Sequence, residues 1–345
     1  MEWTRLQNLI KTEILGLDVG SFAVKAVRLN KNESGYSVTA AGITEIAASE
    51  EDSNHLNTVS AIRECCGLAG GKTKLAVCGL SGPEVAVRDF EFPSLSAAEI
   101  DGAVLFEASQ VCPFNAAESV VDYHLISNDD DKTSGILVAA MNTLVTDKVN
   151  LAKEAALKCV LMDVEGLALL NCYTNLAENS DESTIAILNV GGSHTTLVIM
   201  GDNGRPFVRD MTFAGNDIIK LIAADKGMST NDVRSNLSGE SKITKTELNE
   251  SLGKACKQLI VDVSNTLRYY ATQEQSTRVE KIYVCGGFAL ASGFIELLNN
   301  KFGIEAVLWN PFEKIRCDTD SQFRDICAKK GPALAVAAGL AMRSV

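Results

Sequence analysis

Apolar and polar positions alternate along residues 14–29 (ILGLDVGSFAVKAVRL), pausing at Asp18, Val19, Gly20 and Ser21, which predicts a strand, a tight turn and a second strand. Residues 36–46 continue as a third strand, 55–66 carry helical spacing, and 73–80 (TKLAVCGL) form a buried strand ending at a Gly79/Gly82 turn. Around Val87 the texture changes. Ser96 followed by Glu99 makes a capping box for a helix that Pro113 stops. Strands at 119–127 and 135–141, a helix at 145–156, a strand at 159–163 and a helix at 165–177 follow. Strands interleaved with helices predict an α/β protein, with residues 88–160 a compact α/β insertion in its first half.

After a polar break at 178–183, residues 185–200 (IAILNVGGSHTTLVIM) repeat the opening pattern. One constant offset sets Asn189 on Asp18, Gly191 on Gly20, Gly192 on Ser21 and Thr196 on Lys25. Two domains built on one plan predict a cleft in which both turns face a shared ligand. The second half continues with a strand at 205–213, the turn Ala214-Gly215-Asn216 and a helix from Asp217. A polar helical stretch spans 225–279. There Thr244 and Glu247 form another capping box, and Leu248, Leu252, Cys256, Leu259, Val263, Leu267 and Tyr270 line one face of a single long helix. A strand at 281–285 runs into Gly286 and Gly287 and then a helix, a corner that lets a flat ring or ribose approach backbone. A small-residue helix at 332–342 closes the chain.

The first turn carries the chemistry. Gly20 is expected to supply a positive φ, leaving backbone N–H groups around Ser21 open to an anion. Asp18 repels an anion unless a cation or a water lies between them, which points to a Mg–nucleotide. By strand alternation Lys25 shares a face with Ser21, within reach of a phosphate there, the other reading being an ordinary exposed strand lysine. At 345 residues, 46% hydrophobic and with net charge −12, the chain is a folded two-domain protein, unsuited to nonspecific binding of nucleic acid or anionic membranes. Ten cysteines without a C-x-x-C pair read as buried reduced thiols, and His55, His124 and His194 are too scattered for a metal motif. Residues 1–13 lack a secretory signal, and no apolar run approaches the ~20 residues of a membrane span, so a cytoplasmic location is expected. Trp3, Leu6 and Ile10 share one face of a short N-terminal helix.

In order, DVGS, NVGGSHTT and VCGGFA with the terminal small-residue helix resemble the phosphate 1, phosphate 2 and adenosine motifs of the actin-like ATPase superfamily. EASQVCPF with SVVDYHLI, then ILVAAMNTLV, MDVEGLALLN, RPFVRDMTFAGND and VLWNPFEKI, are similar to the PilM family of type IV pilus assembly proteins. The resemblance implies two duplicated α/β domains around a nucleotide cleft, with an FtsA-type insertion. Its first core subdomain takes 13–87, 161–182 and 333–345, the insertion 88–160, the second core 183–224 and 280–332, and a helical cap 225–279. It implies ATP or ADP with Mg²⁺, held by Asp18, Gly20, Ser21 and Lys25, by Asn189, Gly191, Gly192 and Thr195, by Gly215, and by Gly286 and Gly287, with Asp18 meeting the metal through water.

It also implies a scaffold at the cytoplasmic face of the inner membrane that grips the N-terminal tail of a PilN-like partner, in a groove between the first domain and its insertion, and joins other platform or motor proteins. Relatives carry aspartate where this chain has Asn189. A neutral amide binds a cation and accepts a proton poorly, so hydrolysis is expected to be weak or absent, and His194 is read as a bystander. The alternatives are a cycling ATPase, a small-molecule kinase of the superfamily, for which no acceptor-binding polar cluster is evident, and an FtsA-like division protein, whose C-terminal amphipathic helix has no counterpart here.

Overall fold

Alternation of buried residues sets the first sheet. In the computed structural model, Leu15–Val19 (β1) and Ala23–Asn32 (β2) pair antiparallel with Asp18 opposite Lys25, and Gly35–Glu45 (β3) pairs with β2. The structure describes residues 14–33, 35–47, 51–71, 73–129, 131–177, 184–201, 204–239, 244–273, 277–317 and 321–343; the expected N-terminal helix and the break at 178–183 lie outside them. Helix α1 (Glu51–Leu68) buries Val59, Ile62 and Cys65 against the sheet, and β4 (Leu75–Leu80) runs parallel to β1.

The insertion follows. Strands β5 (Val85–Pro93), β6 (Ser119–Asn128) and β7 (Lys132–Met141) form an antiparallel sheet in the order β5-β7-β6. Helix α2 (Ala97–Val111) covers one face through Ile100, Val104 and Ala108. Glu99 accepts from the Ser96 N–H at 2.9 Å, as its capping box requires. Helix α3 (Asn142–Glu154) leads to β8 (Lys158–Val164), which pairs parallel with β4. Residues 158–160, expected in the insertion, therefore belong to the first sheet. Strand β5 was not expected, because its buried start, Val85-Ala86-Val87, hides the alternation that follows.

Helix α4 (Glu165–Leu176) precedes the second sheet, which holds β9 (Ile185–Val190), β10 (Thr195–Met200) and β11 (Pro206–Met211). Helices α5 (Gly215–Lys226), α6 (Thr230–Leu237), α7 (Lys245–Ala255) and α8 (Lys257–Tyr270) form the cap. Then come β12 (Lys281–Cys285), α9 (Phe294–Lys301), β13 (Glu305–Leu308), α10 (Ser321–Lys330) and α11 (Ala335–Ala341). The sheets read β3-β2-β1-β4-β8 and β11-β10-β9-β12-β13, each with two antiparallel pairings followed by two parallel ones. The duplication seen in two turns thus extends through all ten strands.

Two local expectations change. The long cap helix is two helices meeting at Cys256, whose ψ of 2° turns the chain out of helical geometry. Hydrogen bonds from the Cys256 N–H to Leu252 and from the Ile260 N–H to Cys256 bridge the joint, so the apolar face continues across it. At the glycine corner, a single 3₁₀ turn at Phe288–Leu290 follows β12, and α9 begins only after Gly293, whose φ is +79°. The corner therefore faces no long-helix N-terminus.

One core joins the halves. Val77, Leu80 and Val164 of the first sheet, Ala168 and Leu169 of α4, Val336 and Leu340 of α11, and Ile185, Ile187 and Val198 of the second sheet pack as one buried cluster. Phe312, Ile315 and Cys327, expected with the second core, pack against Val27 and Val38 of the first sheet.

Candidate functional site

The two turns close in the same way. Gly20 N–H donates to the Ala23 carbonyl at 3.2 Å and Gly191 N–H to the His194 carbonyl at 3.0 Å, positions related by the sequence offset. Gly20 does not have the positive φ expected of it. Its requirement is space, since a Cβ there would lie 3.0 Å from Lys25 Nζ and 3.1 Å from the Ala23 carbonyl oxygen. Among the described residues, no acceptor pairs with the backbone N–H of Ser21, Phe22, Gly192 or Ser193. Both turns thus present unclaimed donors, the usual basis of an anion nest.

The turns also meet. A Cβ on Gly192 would lie 2.6 Å from Ser21 Oγ, 3.4 Å from Asn216 Nδ2 and 3.6 Å from Phe22 Cβ. Gly215 N–H donates to the Gly191 carbonyl at 3.0 Å and Asn216 N–H to the Gly192 carbonyl at 2.8 Å, so the start of α5 fixes the second turn from behind. This places Gly215 as a clamp on the turn. Thr195 is fully buried and donates to the Phe213 carbonyl at 2.9 Å, directing its hydroxyl into that support.

Asp18 and Lys25, side by side across β1 and β2, form an ion pair at 3.1 Å. The matching pair in the second turn is Asn189 and Thr196, without charge. Asn189 is buried; a Cβ on Gly286 would lie 2.5 Å from its Oδ1, and Gly286 itself has φ +93°. Gly287 differs, because a Cβ there meets nothing within 4 Å. The corner beside the second turn is open on that side.

The fold adds groups that the sequence pattern did not single out. Glu165, in the first turn of α4, is buried beside Gly79; burial first and then the Asp18 charge push its carboxyl up to about 7. Asp210 on β11 accepts from Thr196 Oγ1 at 2.5 Å and from the Gly82 N–H at 2.9 Å, and burial raises its pKa. His194 packs on Gly82, and burial lowers its pKa, keeping the ring neutral. Lys148 Nζ donates to the Val19 carbonyl at 2.8 Å, just before the first turn. Glu165, Asp210 and Lys148 come from α4, β11 and α3, and no local motif announces them, whereas His194 belongs to the second turn itself, where the sequence reads it as a bystander. A glutamate at a helix start also suits the helix dipole, so nothing in its position signals chemistry.

The arrangement fits the Mg–nucleotide expected of it. Donors for phosphate line both turns, an open corner stands beside the second, and Asp18 is the carboxylate nearest the first. Among the described residues, no group of three or more His, Cys, Asp or Glu could hold a metal ion by itself.

A family model described as type IV pilus assembly protein PilM matches residues 16–345. The structure is similar to one titled PilM-PilN type IV pilus biogenesis complex, with TM-score 0.81, 23% identity, and coverage of 97% of this chain and 99% of that one. It is also similar to ethanolamine utilization protein EutJ from Carboxydothermus hydrogenoformans, at TM-score 0.56, 14% identity and coverage of 97% and 91%. MreB5 of Spiroplasma citri bound to ADP matches at TM-score 0.51, 13% identity and coverage of 95% of each chain. The fold is that of the actin-like ATPases.

Proposed function

The chain belongs to the type IV pilus assembly protein PilM family, and from that premise we propose that it is a pilus-assembly scaffold that binds ATP or ADP with Mg²⁺ and grips the cytoplasmic tail of a PilN-like partner. The observation that carries the nucleotide reading is the pair of facing turns with unclaimed N–H donors. Ser21 and the amides of both turns would hold the phosphates, Gly287 would leave room for the adenosine, and Asp18 would meet the metal through water. When bound, the metal supplies charge neutralisation for the phosphates.

Asn189 in the second turn supports a binding role with weak turnover. Slow hydrolysis is the second reading, supported by Glu165, a buried carboxyl beside Gly79 whose charge interacts with that of Asp18 and whose pKa burial raises. The partner's tail is assigned to the groove expected between the first domain and its insertion. Ile136 and Val138 of β7, Val145 of α3, and Val160 and Met162 of β8 are half-buried apolar residues packed against the shared core, and the reading takes them as the floor of that groove. β6 and β8 are sheet edges, with Val120, Ile126 and Leu161 exposed, and such edges accept an added peptide strand. Among the described residues no helix is long and apolar enough to cross a membrane, so attachment to one is assigned to the partner.

Calorimetric titration with Mg–ATP, with and without a synthetic PilN tail peptide, tests the reading. Heat is expected from both ligands. Ile136→Glu should abolish the peptide heat and leave the ATP heat intact. A peptide that binds this variant as tightly as the parent removes the groove assignment.

A further inference from the structure

Among the described residues, Lys25, Lys148 and Arg234 are cations that touch the two turns or their neighbours, and the first two are held at the first turn's own strand. Lys25 is ion-paired with Asp18 at 3.1 Å, and Lys148 donates to the Val19 carbonyl at 2.8 Å. The third is Arg234, on α6 of the cap, reaching across the cleft to the opposite domain. Its guanidinium lies over the Phe22 ring at 4.1 Å from the centroid, and Nη2 donates to Asn216 Oδ1 at 2.7 Å. Both contacts are neutral: among the described residues no carboxylate forms an ion pair with it, and Glu45, whose charge acts on it from a distance, is exposed. Burial opposes its charge, so the cation has lost hydration without gaining a counter-ion.

Its position gives that charge a use. Phe22 follows Ser21 in the first turn, and Asn216 is bonded through its backbone to Gly192 in the second. Arg234 is therefore held by the residues beside both donors of the proposed phosphate site, on an element belonging to neither turn. We propose that Arg234 recognises the polyphosphate of the nucleotide, favouring ATP over the bare nucleoside and tying the cap to the first domain when the site is filled. This rests on the nucleotide reading above. A planar, permanently charged fork suits phosphate oxygens, and the Phe22 face orients it without neutralising it.

The test is calorimetry of the full chain with Mg–ATP and with adenosine, on the parent and on Arg234→Gln and Arg234→Lys, with circular dichroism and thermal unfolding in the absence of nucleotide as fold controls. Loss of one charged hydrogen-bonding group should weaken ATP binding about ten- to a hundredfold. Adenosine binding should change less than about twofold in the same variant. Arg234→Lys should recover part of the ATP affinity, and it carries the test if the glutamine variant does not fold. Equal losses for ATP and adenosine would make Arg234 an adenine contact or a structural strut and overturn the assignment, as would unchanged ATP affinity. If the parent binds no ATP, the nucleotide reading itself falls, and this inference with it.

Discussion

Glu165 shows how one buried side chain links stability, pH and chemistry. Its carboxyl sits near 7 in the folded chain, against 4.5 for a free glutamate, because burial and the Asp18 charge both disfavour the anion. Between those values the folded chain retains a proton that the unfolded chain has released. Stability from this group therefore falls as pH rises from about 4.5 to about 7, and the full cost, on the order of 3 kcal/mol, is present above that range. Glu165→Gln removes the ionisation. The variant should be more stable than the parent in urea at pH 8, with the difference shrinking toward pH 5, and any phosphate release by the parent should disappear. A gain that is the same at both pH values, or none at pH 8, would mean that the carboxylate is not held at this cost. Nothing in MDVEGL distinguishes this residue from any helix-capping acid, and Asp210 on β11 is equally unmarked in RPFVRDM. Asp18 was legible because a duplicate turn elsewhere in the chain gave it a context.

Within the strand-to-turn corner after β12, adjacent glycines have different jobs. Gly286 adopts φ +93°, and a Cβ there would press on the Val190 carbonyl and Asn189 Oδ1, so alanine is excluded by both backbone conformation and space. Gly287 has ordinary helical φ and ψ and nothing within 4 Å of a Cβ. Gly286→Ala should lose about 1–3 kcal/mol of stability. Gly287→Ala should melt within about 0.5 kcal/mol of the parent yet bind ATP more weakly, since its methyl group would occupy the space proposed for adenosine. Chemical denaturation paired with calorimetry separates the two, and unaltered affinity in the Gly287 variant would move the adenosine elsewhere. The glycine pair itself was readable in sequence. Its division of labour was not, because the pressure on Gly286 comes from β9, nearly a hundred residues earlier in the chain, and the following helix was misread where a 3₁₀ turn intervenes. The same limit split the cap helix at Cys256, whose periodicity continues smoothly across the joint.

At the scale of the whole molecule, the sequence suggested two jaws, whereas the packing shows that they share a core. Residues of both sheets pack on α4 and α11, and that contact is close because Gly339 faces the Ala168 carbonyl, where a side chain would collide with backbone. Asp210 adds a polar tie, accepting from the Gly82 N–H across the same boundary. Trp309 packs against this shared cluster and against the cluster beneath the first sheet, which makes it a reporter of the junction. Because residues of both sheets are buried in this one cluster, exposing it in one half exposes it in the other, and the two halves are expected to unfold together. In a Trp3→Phe background, urea unfolding followed by Trp309 fluorescence should coincide with the transition followed by far-ultraviolet circular dichroism. Saturating nucleotide should shift both by the same amount, about 2.7 kcal/mol at a hundred times its dissociation constant. Separate transitions, or a nucleotide shift seen by one probe alone, would mean that the jaws fold independently. In that case a ligand in the cleft would do no more than bridge two separate bodies. A common shift would mean that filling the site stabilises every surface of the molecule at once, including the groove proposed for the partner's tail.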